Sequence, residues 1–453
     1  MTRPDFRDRL RRLLPGLTAG LLALQPFLDA LSYWQTKLRW TNAVTLALRL
    51  GILLLCGVLG LLLSSKKWVY ALFGSLLLLL TGGHVLACFQ TGYEAPLEDL
   101  TNLLHIYTLP LLTLCLSTFL RQNRRTLQGI KLGAALSLGG ILLIMLLATI
   151  TGTDPHTYPK EGTGVLGWFL WTNTQSAVLS MLLPLTLAWA LGKFGKRILP
   201  VVLIALAGEC ALFLLAPRLA YAALVGVGLG TALCLVLGDR SRWKQSLALL
   251  LCTLLFVGLY PLSPMAKRQQ EAAAQAQINA AHGQEREKAA EGTSEDRLLH
   301  LYLGYEYQYG PIQRFGAERV MAAYDYTDDP GILSDQRLRK RTFCRLLMED
   351  APLLGHIFGL EVGDMRVPMV VSDDFGETWY QGYQVNDVEN DILGIYYLLG
   401  WAGLLLWLAG IGYILLRGLL ALIRRFRETF TPDWTGFALA AGVALIHAIF
   451  TAS

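Results

Sequence analysis

Long apolar runs separated by short polar connections recur from one end of the chain to the other. A helix needs roughly 20 apolar residues, at about 1.5 Å each, to cross a hydrocarbon core about 30 Å thick. About eleven runs reach or approach that length: Leu13–Tyr33, Ala43–Ser64, Trp68–Phe89, Leu100–Leu120, Ile130–Ile150, Thr172–Gly192, Ile198–Leu215, Leu219–Gly238, Gln245–Leu262, Ile392–Leu416 and Thr435–Ala452. The pattern predicts an all-α polytopic membrane protein with about eleven transmembrane helices. The one long polar stretch lies before the penultimate run. The chain therefore divides into a bundle of about nine spans over residues 1–262, a mainly helical loop domain over 263–390, and two closing spans over 391–453.

Within the loop, Lys267 to Gly292 is rich in Ala, Gln, Glu and Lys, which favours a solvated helix. Aromatic residues follow (Tyr302, Tyr305, Tyr307, Tyr309, Phe315), then a charged amphipathic segment from Asp335 to Asp350 that Pro352 ends. Gly355, Gly359 and Gly363 mark turns. So long a loop is more than a connection and is expected to pack on the bundle.

Composition agrees: 54% of the 453 residues are hydrophobic and only 16% are charged, too few for a soluble surface. A net charge of +5 raises nucleic acid as a partner, but no basic face interleaved with aromatics is present. The cations instead sit at the ends of apolar runs. With the arginine-rich N-terminus inside, Lys66 and Lys67, Arg121 to Arg125, Lys193 to Arg197, Arg240 to Lys244, and Arg417 to Arg427 all fall on the cytoplasmic side. Lys37, Arg39, Lys160 and Arg218 are the exceptions. This count places the loop outside. Arg3 to Arg12 resembles the charged start of a signal peptide, but no small-residue cleavage site follows, so the first run reads as an uncleaved span. Six of the seven cysteines lie in apolar runs, and Cys344 alone lies in the loop, so no disulfide forms within it.

Candidate chemistry gathers at the outer boundary. Arg218, after Pro217 at the outer end of a span, suits a diphosphate through paired hydrogen bonds, or equally headgroup contact or a loop carboxylate. Arg337, Arg339, Lys340, Arg341 and Arg345 form the densest positive charge outside. Asn386 to Asp391 precedes a span directly, with Asp387, Glu389 and Asp391 in alternation. A carboxylate there suits a general base, or else a helix start favoured by the macrodipole or a salt bridge to the arginines. Asn173 and Gln175 open the sixth span and either bond neighbouring helices or line a cavity. The seven histidines are scattered, none at ligand spacing from another, and read as structural or incidental.

Taken together, these stretches resemble the O-antigen ligase and polysaccharide polymerase superfamily in its Gram-positive variant. Gln25-Pro26-Phe27-Leu28-Asp29 with Ser32-Tyr33 is similar to its first span, and Gly167-Trp168-Phe169 leading to Asn173 and Pro184 to its sixth. Pro217-Arg218, Arg337 ahead of Pro352-Leu353-Leu354-Gly355, and Glu389-Asn390-Asp391 ahead of Gly400-Trp401-Ala402-Gly403 follow in the family's order. The resemblance implies inverting, metal-independent glycosyl transfer, without a cofactor, from an undecaprenyl-diphosphate-linked glycan donor. The acceptor is a glycan, a lipid or the wall, reached on the outer side of the bacterial cytoplasmic membrane. Arg218 and Arg337 would hold the diphosphate, Glu389 would orient or deprotonate the acceptor hydroxyl, and Asn173, Asn390 and Arg341 would support them. Many relatives have histidine where Glu389 stands, which implies a different pH optimum. The chain also stops at Ser453, near the end of its eleventh run, where the family usually has another span. A repeat-unit polymerase shares every one of these features. A flippase for the same lipid-linked sugars would need polar residues through the midplane and internal repeats, whereas the midspans are mainly apolar and no repeat is evident. A non-catalytic scaffold would leave Arg218, Arg337 and Glu389 dispensable.

Overall fold

The computed structural model describes residues 6–159, 162–271, 273–274, 298–299, 301–302, 309–333, 335–364, 370–372, 378–380 and 390–450. Nine helices precede the insertion: α1 (Phe6–Lys37), α2 (Ala43–Leu63), α3 (Lys67–Thr91), α4 (Pro96–Gln122), α5 (Thr126–Ile150), α6 (Thr172–Lys193), α7 (Ile198–Leu215), α8 (Arg218–Gly238) and α9 (Trp243–Gly258). The insertion holds α10 (Tyr309–Phe315), α11 (Ala317–Ala323), α12 (Gln336–Glu349) and α13 (Leu353–Phe358), followed by an antiparallel ribbon, β1 (Val370–Ser372) with β2 (Thr378–Tyr380). Two helices close the chain, α14 (Asp391–Arg424) and α15 (Pro432–Phe450).

Ten of the described helices are long and apolar enough to cross a membrane. The fold is an all-α multi-pass bundle. Helix α9 is the expected span that falls short: its 16 residues reach about 24 Å at about 1.5 Å each. The expected solvated helix, Lys267 to Gly292, is helical through residue 271 and lies outside the described residues from 275 on, as do Tyr305, Tyr307 and Asn386 to Glu389.

Buried side chains of α5 to α9 form the largest apolar cluster, with Leu138, Ile141, Leu183, Leu212, Leu224 and Leu249 at its centre. Lipid tails are as apolar as leucine, so close backbone approach and polar bonds do more to join helices here than water exclusion. Helix α1 lies along α5 at a seam of small residues, where a Cβ on Gly129 would strike the Pro15 carbonyl. Helix α15 runs antiparallel to α6 and α8, its start beside their ends: Gly436 abuts the Pro184 carbonyl, and Gly238 abuts that of Phe430. An ion pair ties the same end, the buried Lys131 Nζ to the partly exposed Asp433 Oδ1 at 2.5 Å.

At the opposite end the insertion is seated. Phe343, Cys344, Leu347 and Met348 of α12 pack with Leu360, Val362, Tyr397 and Leu398, carrying α12 onto the first turns of α14. A second cluster behind it joins Tyr302, Val320, Met321, Tyr324, Leu333 and Leu346. The expected packing of the loop on the bundle is therefore seen.

Candidate functional site

Helices α6, α8 and α14 all begin at the insertion end, and α15, which ends there, packs against each of them. Every helix start carries four unbonded N–H groups and a partial positive charge. Of these starts, that of α14 is bonded to the last turn of α15. Asn173, half-buried, is in the first turn of α6. Arg218 is the first residue of α8, exposed, and follows the left-handed Ala216 (φ 76°) and Pro217. Asn390 caps α14: its Oδ1 accepts the Leu393 N–H at 2.9 Å, and its Nδ2 donates to the Ile449 carbonyl of α15 at 2.9 Å. Glu389, the residue before it, lies outside the described residues.

Polar groups continue below Asn173. Gln175, Ser176 and Ser180 are buried on α6, and Gln175 Nε2, Ser176 Oγ and Ser180 Oγ have no hydrogen-bond partner. A buried polar atom without a partner costs about 1–3 kcal/mol, so each of the three gains from a water or another polar partner. His447 is buried near the end of α15.

The connection from α5 to α6 folds across this end. Asp154 Oδ1 accepts the N–H groups of Leu166 (3.1 Å) and Gly167 (2.6 Å), and the Val165 N–H donates to the Leu214 carbonyl of α7 (2.9 Å). Beside it lies an aromatic and basic rim that sequence reasoning missed. The Arg268 guanidinium stacks 3.6 Å above the Tyr158 ring and donates to its hydroxyl at 2.6 Å. Tyr221, one turn beyond Arg218, stands 5.2 Å from Tyr260, whose hydroxyl donates to Gln269 Oε1. The available signal was a cation just past the ninth span, on the side positive charge avoids.

Arg337 and Arg341 sit on another element. Arg337 is exposed in the first turn of α12, which Asp335 caps by accepting the N–H groups of Arg337 and Leu338. Arg341, one turn on, is half-buried, and its Nε makes no hydrogen bond. The buried cations of α12 are instead Arg339, 1% exposed, and Lys340. Arg218 belongs to the α5–α9 core region and Arg337 to the insertion, and the pair α14–α15 links the two.

A second polar group locks the insertion to α3 and α4. His84 Nε2 lies 2.8 Å from Asp99 Oδ2, and His84 Nδ1 lies 3.0 Å from the Phe358 carbonyl. Tyr93 donates to Asp99 Oδ2 at 2.9 Å, and the Val362 N–H donates to Asp99 Oδ1 at 3.1 Å. Glu361 accepts the N–H groups of Glu94 (2.8 Å) and Ala95. Burial pushes the Glu361 carboxyl up, against the pull of those N–H groups. Asp364 is likewise raised by burial, opposed by Arg314. Two left-handed glycines let the backbones cross here. A Cβ on Gly359 would strike the Leu398 carbonyl, and one on Gly400, where α14 kinks, would strike that of Ile357.

A bundle of ten described helices long and apolar enough to span a membrane, with a structured insertion docked at one end, defines a polytopic membrane protein. Over residues 17–450 the chain matches the family described as O-antigen ligase like membrane protein, and it belongs to that family. Its place is among membrane proteins of glycan processing. No curated protein and no solved structure matches the chain.

Proposed function

We propose that the protein moves a glycan from an undecaprenyl-diphosphate carrier to an acceptor hydroxyl on the outer side of the bacterial cytoplasmic membrane. The observation that carries this reading is that α6, α8 and α14, each packed on α15, all start at the insertion end, with Arg218 exposed at one of those starts. Helix starts and a guanidinium favour an anion, and the leaving group of this reaction is a diphosphate. Arg218 and Arg337 bind that diphosphate, with Arg341 beside them. Asn173 and Asn390 hold hydroxyl groups of donor or acceptor. Glu389 takes the proton of the acceptor hydroxyl as its oxygen attacks the anomeric carbon from the face opposite the diphosphate. The carbon–oxygen bond to phosphate breaks, the diphosphate leaves with the electron pair, and configuration inverts. No metal ion or cofactor takes part. The buried polar groups at Gln175, Ser176 and Ser180 give a sugar partners below the boundary.

The test is transfer in proteoliposomes from a lipid-diphosphate glycan, followed by appearance of product and release of undecaprenyl diphosphate. Arg218→Ala and Arg337→Ala should each slow transfer about 100- to 1,000-fold, the usual loss of one oxyanion partner. Glu389→Gln should slow it about 100- to 10,000-fold. Full activity in all three variants would end this reading, and transbilayer movement of the donor without product would replace it with a flippase. A product lengthened by successive repeat units marks a polymerase, and a single transfer to another acceptor marks a ligase.

A further inference from the structure

We propose that His84, Cys88 and Asp99 bind a zinc ion that fastens the insertion to the start of the bundle. Their ligand atoms, His84 Nε2, Cys88 Sγ and an Asp99 carboxylate oxygen, all lie within 4.8 Å of one another, and all three residues are completely buried. His84 and Cys88 are one helical turn apart on α3, and Asp99 opens α4 across a short connection.

Proton counting sets this group apart from an ordinary hydrogen-bonded pair. The Phe358 carbonyl accepts only, so at 3.0 Å it fixes a proton on His84 Nδ1. Nε2 then faces two groups, Asp99 Oδ2 at 2.8 Å and Cys88 Sγ at 3.4 Å. One nitrogen has at most one proton, which serves the carboxylate, so the sulfur at 3.4 Å receives no proton from the ring. A cation at the centre satisfies nitrogen, sulfur and oxygen together. Ring N–H to a backbone carbonyl is also the usual outer arrangement of a metal-bound histidine. Asp99 is supported likewise, by the Val362 N–H and the Tyr93 hydroxyl.

The donor set selects the ion. Nitrogen, thiolate and carboxylate suit zinc, whereas calcium and magnesium require oxygen throughout. Zinc with one thiolate and one carboxylate is neutral, which suits a completely buried site, and a water molecule takes its fourth position. Tetrahedral zinc separates its ligand atoms by about 3.3–3.6 Å, so the nitrogen–oxygen pair opens by about 0.5 Å on binding. Binding releases the Cys88 thiol proton and the His84 Nε2 proton to solvent, and the Nδ1 proton stays. The ion holds structure and touches no reacting group, so this proposal and the transfer reaction stand or fall separately.

The test uses tag-free full-length protein in detergent, loaded with zinc, desalted and measured for metal by mass spectrometry. Wild type should retain about one zinc per chain, and Cys88→Ala should hold at least roughly fivefold less. Cys88→Ala keeps the His84 bonds to Asp99 and Phe358, so it should elute as wild type in size exclusion. His84→Asn, with the same expected loss, serves in its place if the alanine variant aggregates. Cobalt-loaded wild type should show a thiolate-to-cobalt charge-transfer band that Cys88→Ala lacks. Wild type below about half an equivalent of zinc, or a loss in Cys88→Ala smaller than about fivefold, overturns the proposal.

Discussion

Glu361 is completely buried, and both its carboxylate oxygens are committed to backbone N–H groups at the start of α4. Glu361→Gln replaces one acceptor oxygen with a donor that faces an N–H. Leaving a buried donor unsatisfied costs about 1–3 kcal/mol, so amide exchange over residues 353–362 should rise by that amount in hydrogen–deuterium measurements. Arg319 makes the contrasting case. It bonds Asp350 at 2.8 Å and Glu349 at 3.4 Å, but all three side chains are exposed, so Arg319→Ala should cost less than about 1 kcal/mol. Arg319 holds the Asp350 carboxyl below the usual carboxylate range. A carboxyl lowered in the folded state stabilises fully above the unfolded-chain value, about pH 3.9, and that contribution fades as pH falls through the lower folded value. Thermal unfolding of wild type and Arg319→Ala should therefore converge in strong acid.

Helix α15 is held at both ends by polar contacts of unequal tolerance. Lys131 is buried while Asp433 is partly exposed, so the two halves of their ion pair are not equivalent. Asp433→Asn strands an ammonium group among helices and should cost about 3–5 kcal/mol, whereas Lys131→Met leaves a carboxylate that water can reach and should cost much less. Unfolding midpoints of the two variants in one detergent check the order. At the other end, Asn390→Ala removes a helix cap, worth about 1 kcal/mol, and the bond to Ile449 as well. The elements themselves were legible. The run Ile198–Leu215 is helix α7 to the residue, because apolar length alone dictates a span. Helix α12 was legible as an element and not in its phase. Arg339 shares a face with Phe343 and Leu346, a spacing present in the sequence, yet the family resemblance drew attention to Arg337. Asp99 and Val362, or Glu361 and Ala95, meet from distant parts of the chain, and no local pattern contains such contacts. For the same reason His84 read as incidental until α4 and the insertion were placed around it.

At the scale of the molecule, every reading of function depends on which side the insertion faces. The connections α2–α3, α4–α5, α6–α7 and α8–α9 lie at the bundle end away from the insertion, and they carry Lys66, Lys67, Arg124, Arg125, Lys196, Arg197 and Arg240. Cation-rich short loops stay in the cytoplasm, so the insertion should face outward. Cysteine labelling tests this cleanly, because none of the seven native cysteines is exposed. Thr41, in the α1–α2 connection, and Ser241, in the α8–α9 connection, are both exposed and lie at opposite ends. Thr41→Cys should react with a membrane-impermeant maleimide in intact cells, and Ser241→Cys only after permeabilisation. The reverse result would put Arg218 and the starts of α6, α8 and α14 on the cytoplasmic side. A diphosphate carrier could still bind there, but an acceptor outside the membrane could not be reached. Labelling of both positions in intact cells would mean that the helices do not alternate in the bilayer as they do in the bundle. Sidedness thus ranks before any active-site variant, since it decides which leaflet the lipid donor must be supplied in.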